Sequence, residues 1–102
     1  MEFICKIHKD HDNGMLIALC DSSILGKKFF EKEKQLDLSG SFYQGEKVEE
    51  EKLSSLIKKA YIINAVGKES VAFCLKNKLV KKENILFVSG VPHCQIVFAD
   101  CE

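Results

Sequence analysis

Apolar and polar positions alternate at the start of the chain. Phe3, Cys5 and Ile7 fall on one side of an extended segment, and Lys6 and His8 on the other, which is the pattern of a half-buried strand. Asp12-Asn13-Gly14 supplies the asparagine-glycine pair that tight hairpins favour. Met15 to Cys20 is apolar throughout. That run predicts a second strand, antiparallel to the first, covered on both faces and near the middle of a sheet. Asp21-Ser22-Ser23 opens a short helical turn carrying Ile24 and Leu25 and ended by Gly26. Phe29 and Phe30, the charged turn Glu31 to Lys34, and Leu36 alternating with Leu38 predict two further short strands. Residues 39–45 read as a loop.

From Glu49 the spacing turns helical. Leu53, Leu56, Ile57 and Ala60 share a stripe, acids stand in the first turn, and Lys58 and Lys59 in the last, an arrangement that suits the helix dipole. A second helix is expected from about Ile62 to Asn77, because Ile62, Val66 and Phe73 share a stripe with Ile63, Val71 and Cys74 beside it. Gly67 sits awkwardly there, since glycine costs about 1 kcal/mol relative to alanine inside a helix. It either breaks this helix or admits a close backbone crossing. Ile85 to Val88, the turn Ser89-Gly90-Val91-Pro92 and His93 to Ala99 form a terminal hairpin. The expected fold is one α+β domain over residues 1–102. It has two layers, a mostly antiparallel sheet with two central helices packed on it, and strands at both ends of the chain.

Composition narrows the class without naming it. With 102 residues, 46% hydrophobic and 29% charged, the chain has the makeup of an ordinary globular protein. The formal charge is zero and all 15 cations are lysines, so neither a strong field nor the planar guanidinium fork for bidentate phosphate or guanine contacts is available. Lysine contacts to an RNA backbone stay open. The five cysteines, Cys5, Cys20, Cys74, Cys94 and Cys101, are odd in number and form no C-x-x-C, which fits a reducing compartment better than a disulfide framework. The first residues hold no apolar signal core, and no run approaches the roughly 20 apolar residues that span a bilayer. A cytoplasmic protein without membrane, metal or cofactor is expected.

The segment richest in chemistry is Gly90-Val91-Pro92-His93-Cys94-Gln95. Strand alternation puts Cys94, Ile96 and Phe98 on the core face and His93, Gln95 and Val97 on the other. Pro92 stiffens the entry into the strand and so mounts His93 firmly. The plainer role is that His93 closes the turn onto a carbonyl and Gln95 is mere surface. The hairpin tip His8-Lys9-Asp10-His11-Asp12 offers two histidines and two carboxylates, but such residues are usually solvated turn formers. No P-loop, G-x-S-x-G, G-x-G-x-x-G or H-E-x-x-H is present.

Nearly the whole chain resembles the archaeal proteins grouped as domain of unknown function 424. The resemblance rests on Asp21 with Leu25-Gly26-Lys27, on Phe42-Tyr43-Gln44-Gly45, on Ala60 with Asn64 and Gly67, and above all on Gly90 to Gln95. In that family the residue after the histidine is commonly alanine, where this chain has Cys94, read here as a small apolar substitute. The resemblance implies a compact α+β fold and an archaeal cytoplasm, and it carries no activity with it.

Those positions suggest one polar constellation, with Tyr43 in the loop, Asn64 on the second helix, and His93 and Gln95 on the last strand. Such a set can bind a base edge, a peptide backbone or a small anion. Three function classes follow. The leading one is a non-catalytic binding module centred on His93, contacting RNA or a protein of the translation machinery. The second is a small enzyme using His93 as acid or base, with Tyr43 or Asn64 orienting the ligand. The third is a structural or oligomerisation module with an exposed apolar strip.

Overall fold

A computed structural model of the chain describes residues 2–10 and 14–98. Strand β1 (Phe3–Asp10) pairs antiparallel with β2 (Gly14–Asp21), as expected, with Phe3 opposite Asp21 and Ile7 opposite Ile17; Gly14 belongs to β2 and faces Asp10. Asp12 and Asn13 of the expected turn lie outside the described residues. Ile17, Ala18, Leu19 and Cys20 are all fully buried, so β2 is covered on both faces, as an unbroken apolar run requires. After a 3-10 turn (Ser22–Ile24) come β3 (Lys28–Glu31) and β4 (Lys34–Asp37), which form a separate two-stranded hairpin. The stretch read as a loop holds a 3-10 turn, Ser41–Tyr43, and is followed by an unforeseen short strand, β5 (Glu46–Val48), on the far side of β1.

Helix α1 (Glu50–Leu56) is shorter than its stripe suggested. A 3-10 turn (Ile57–Lys59) ends it, and Ala60 already belongs to the next strand. The second helix is where the sequence misled. Residues 60–66 form β6 (Ala60–Val66), parallel to β2, and only Lys68–Lys76 is helical, as α2. The cause is physical. Tyr61, Ile62, Ile63 and Val66 are aromatic or β-branched and favour strands. A strand covered on both faces also loses its alternation, so its apolar positions fall on a helical stripe by coincidence. Gly67 divides the two elements with φ 112° and ψ 158°, a region essentially restricted to glycine.

Strand β7 (Leu86–Val88) and strand β8 (Val91–Val97) make the terminal hairpin. Its turn is tighter than expected. Only Ser89 and Gly90 lie between the strands, both at positive φ, the conformation of a two-residue hairpin turn. Val91 and Pro92 already belong to β8. The large sheet runs β5-β1-β2-β6-β8-β7, with every pair antiparallel except β2 and β6.

The two faces of this sheet are covered differently. On one, Leu53 of α1 and Val71, Phe73 and Cys74 of α2 pack against Phe3, Ile17, Leu19, Ile63, Ala65, Cys94 and Ile96. On the other, the β3–β4 hairpin and the following loop bring Leu38, Phe29, Leu36 and Tyr43 onto Ile4, Cys20 and Val66. That second cover extends over only part of the sheet, and the candidate site lies at its margin.

Candidate functional site

Register places the polar residues. Asn64 of β6 stands directly opposite Gln95 of β8, and Val66 opposite His93, so all four side chains share the second face. Leu86 of β7 flanks His93 on its other side. Tyr43 reaches the same face from its 3-10 turn, its ring packed with Ile4, Cys20, Leu38 and Val66 and edge-on to Phe42, with centroids 5.0 Å apart. The sequence thus assigned Asn64 to the wrong element, yet strand geometry brings it beside Gln95.

Tyr43, Asn64, His93 and Gln95 line one cleft of about 400 Å³, together with Leu36, Asn84 and Leu86. Sequence reasoning missed these last three. The sequence places Leu36 and Leu86 on short strands with no part in a site, and it does not single out Asn84. Leu86 is in fact 58% exposed, which marks it as a cleft wall. Among the described residues, none of the side chains of Tyr43, Asn64, His93 and Gln95 hydrogen-bonds to another protein group. Among the described residues, therefore, His93 does not bond a carbonyl to close its turn, and Asn64 bonds no backbone group.

Pro92 supports the mount. The two-residue turn makes Val88 and Val91 a hydrogen-bonded pair, so Pro92 sits opposite Phe87 where no N–H towards β7 is needed. On the other side its carbonyl accepts the Gly67 N–H at 2.8 Å.

The loop carrying Tyr43 is held at two points. His8 Nε2–H donates to the Phe42 carbonyl at 3.0 Å, and the two rings stack 4.6 Å apart. Gly45 lies so close to β1 that a side chain on it would overlap the Cys5 carbonyl.

Burial, and then the nearby Lys34 ammonium, lower the His93 pKa below its ordinary 6.5, so the imidazole is neutral at pH 7, with one donor and one acceptor nitrogen. Burial, reinforced by the Cys20 and Cys94 thiols, pushes Tyr43 up to about 12, and its phenol stays protonated. Among the described residues no carboxylate lines the cleft. Cys94 is 5% exposed on the core face. Contact between the Cys74 and Cys94 thiols, and then burial, pushes Cys74 well up, while the same contact lowers Cys94; both side chains belong to the core cluster.

Among the described residues no cluster of His, Cys, Asp and Glu is placed to hold a metal ion, and no helix is long and apolar enough to cross a membrane. His11 and Asp12 of the hairpin tip lie outside the described residues.

The fold has a counterpart in an uncharacterised conserved protein from Methanopyrus kandleri, whose crystal structure matches with a TM-score of 0.80 and 26% sequence identity, over 100% of this chain and 97% of that one. No curated protein matches the chain. A family model described as protein of unknown function (DUF424) matches residues 8–98, and the chain belongs to that family.

Proposed function

We propose that this chain is a non-catalytic binding module whose cleft takes an unstacked base of single-stranded RNA. One observation carries the reading: Tyr43, Asn64, His93 and Gln95 converge from separate elements on a single cleft, with no hydrogen bond to the rest of the described protein. Amide side chains present a donor beside an acceptor, the complement of a base edge, and a neutral imidazole and a phenol add one of each. Leu36 and Leu86 supply apolar walls for a planar ring. The volume falls within the ~300–1,000 Å³ typical of small-ligand clefts. Sequence-specific RNA recognition works this way, on bases splayed out of the stack.

Electrostatics agree with local recognition and not with a broad footprint. The net charge is zero. Exposed lysines are spread over the β3–β4 hairpin, α1 with its trailing turn, and the segment after α2, so affinity has to come from the cleft more than from the field.

A neutral His93 at a cleft wall would also suit a general base. Among the described residues the other polar groups of the cleft are the Tyr43 phenol, near 12, the amides of Asn64, Asn84 and Gln95, and the Cys94 thiol, which is 5% exposed and belongs to the core face. Binding is therefore the reading the residues support.

The test is fluorescence anisotropy with a labelled single-stranded octaribonucleotide of mixed sequence and its duplex form. Wild type is expected to prefer the single strand, and Asn64→Ala with His93→Ala to weaken binding about tenfold, the scale of one lost base contact. Equal affinity of wild type and variant, or no binding by wild type, would overturn the reading.

A further inference from the structure

The cleft does not end at Gln95. Asn84 and Gln95 also line a second hollow of about 420 Å³, whose other walls include Lys78, Lys81 and Val97. The two hollows adjoin at these two residues, and the second of them, the trough, lies beside the outer edge of β8.

Among the described residues that edge is unpaired there. β7 pairs with β8 only as far as His93, opposite Leu86. Backbone groups alternate along a strand, so those of Gln95 and Val97, like those of Val91 and His93, point away from β6. Where β7 has stopped, they face the trough. The segment supplying its far wall is fixed by main-chain bonds, Leu79 N–H to the Cys74 carbonyl at 2.9 Å and Asn84 N–H to the Lys81 carbonyl at 2.9 Å.

Among the described residues the charged side chains that line the trough are lysines. Lys76 is taken up by Glu50 at 2.7 Å, whereas among the described residues no carboxylate lies within ion-pair distance of Lys78 or Lys81. Glu83, the acid of this segment, does not line the trough. Lys78 and Lys81 line the same hollow as Gln95 and Val97, whose N–H groups point outward together with their carbonyls; the donors of this set suit an anion, and the anion adjoining a bound base is a phosphate.

We infer that the trough is the phosphate subsite of the cleft, so that a single-stranded RNA places one base against Tyr43, Asn64 and His93 and the adjoining backbone phosphate between Lys78 and Lys81. This rests on the reading of the cleft as a base site, and it adds a polarity of binding across β8 that the cleft alone does not specify.

The experiment measures the same octaribonucleotide over a salt series with wild type, Lys78→Gln with Lys81→Gln, and Asn64→Ala with His93→Ala, all first checked for a native urea transition. Each single-strand phosphate contact contributes about 0.7 to the slope of log K against log salt. The lysine variant is therefore expected to bind more weakly with a slope shallower by about 1.4, which removes about a sevenfold loss between roughly 50 and 200 mM salt. The cleft variant is expected to bind more weakly with an unchanged slope. Binding that needs the cleft but ignores the lysines in both affinity and slope overturns the phosphate subsite alone. Binding that needs the lysines and ignores the cleft overturns the base site, and the subsite that rests on it. Displacement of the RNA by poly-glutamate as readily as by unlabelled RNA would show a general anion surface and would also overturn the proposal.

Discussion

The carboxylate of Asp21 occupies the space that a side chain on Gly67 would fill. Asp21 ends β2, is 6% exposed, and accepts hydrogen bonds from the amides of Glu69 at 3.0 Å and Ser70 at 2.7 Å and from the Ser70 hydroxyl at 2.8 Å. It caps α2 from a neighbouring strand, a task normally done by the residue just before the helix. Gly67, which holds that position, offers no capping side chain; it contributes its conformation, its lack of a Cβ and its backbone bonds to Pro92 and Val71.

Gly67→Ala is therefore expected to destabilise the protein by about 3 kcal/mol or more, because it combines a glycine-only backbone conformation with overlap onto Asp21. Asp21→Ala is expected to cost about 2 kcal/mol, from a lost cap and amides left without a partner. Asp21→Asn, which keeps one acceptor oxygen, should cost less than the alanine change. Urea denaturation midpoints check all three. A Gly67→Ala midpoint equal to wild type would refute the steric account.

The loop that brings Tyr43 to the cleft depends on residues that never touch the ligand. Gly45→Ala drives a methyl into the Cys5 carbonyl, so the loop has to lift from β1 and carry Tyr43 with it. His8→Ala removes the bond to Phe42 and the ring stack, interactions together worth about 1–2 kcal/mol. Both variants are expected to speed amide exchange across residues 41–45 and to weaken RNA binding, Gly45→Ala more than His8→Ala. Unchanged exchange in both would mean that the loop is held by other contacts.

How much of this was legible beforehand depends on burial on one face or two. β1 and β8 each expose one face in part, and their alternation gave the strands and the facing of His93 and Gln95 correctly. β6 is buried on both faces at Ala65 and Val66, so its apolar positions carried no period of two, and it was read as the start of a helix. Gly67 was recognised as a conflict with that helix, and the conflict was real: it marks a strand-to-helix junction. The cleft itself was half readable. Tyr43, Asn64, His93 and Gln95 were named from motif positions, but Leu36, Asn84 and Leu86 become walls only through the pairing of β7 with β8 and the placement of the β3–β4 hairpin. No local pattern records that placement.

Cys94 tests whether the position after the histidine serves the core or the chemistry. Cys5, Cys20, Cys74 and Cys94 are all buried, and burial pushes Cys20 up to about 12. A thiol reagent should leave these four unreacted in the native protein on the timescale in which it labels them in urea. Cys94→Ala is expected to cost about 1 kcal/mol, the scale of one buried group of methylene size, and to leave RNA affinity unchanged. Loss of binding with the urea midpoint preserved would instead give the thiol a direct part in the site.

His93 links the site to pH. Its pKa in the folded protein lies below the ordinary 6.5 because burial, and then Lys34, disfavour the imidazolium. The folded state therefore takes up its proton at lower pH than the unfolded chain does. The stability that depends on the neutral ring is fully present above pH 6.5 and is lost as pH falls through the folded value. The loss should be modest, because the ring is only half-buried. In His93→Gln the fall in the urea midpoint on going from about pH 7.5 to 5 is expected to be smaller than in wild type. The His93 ring resonances should titrate below 6.5 in wild type. Lys34→Gln should move that midpoint part of the way up and leave the burial contribution in place. RNA affinity should fall over the same pH range, since a protonated ring loses the acceptor nitrogen that a base donor needs. A ring that titrates at or above 6.5 would remove the neutral imidazole from the site, and a normal titration with pH-independent affinity would remove His93 from contact with the base.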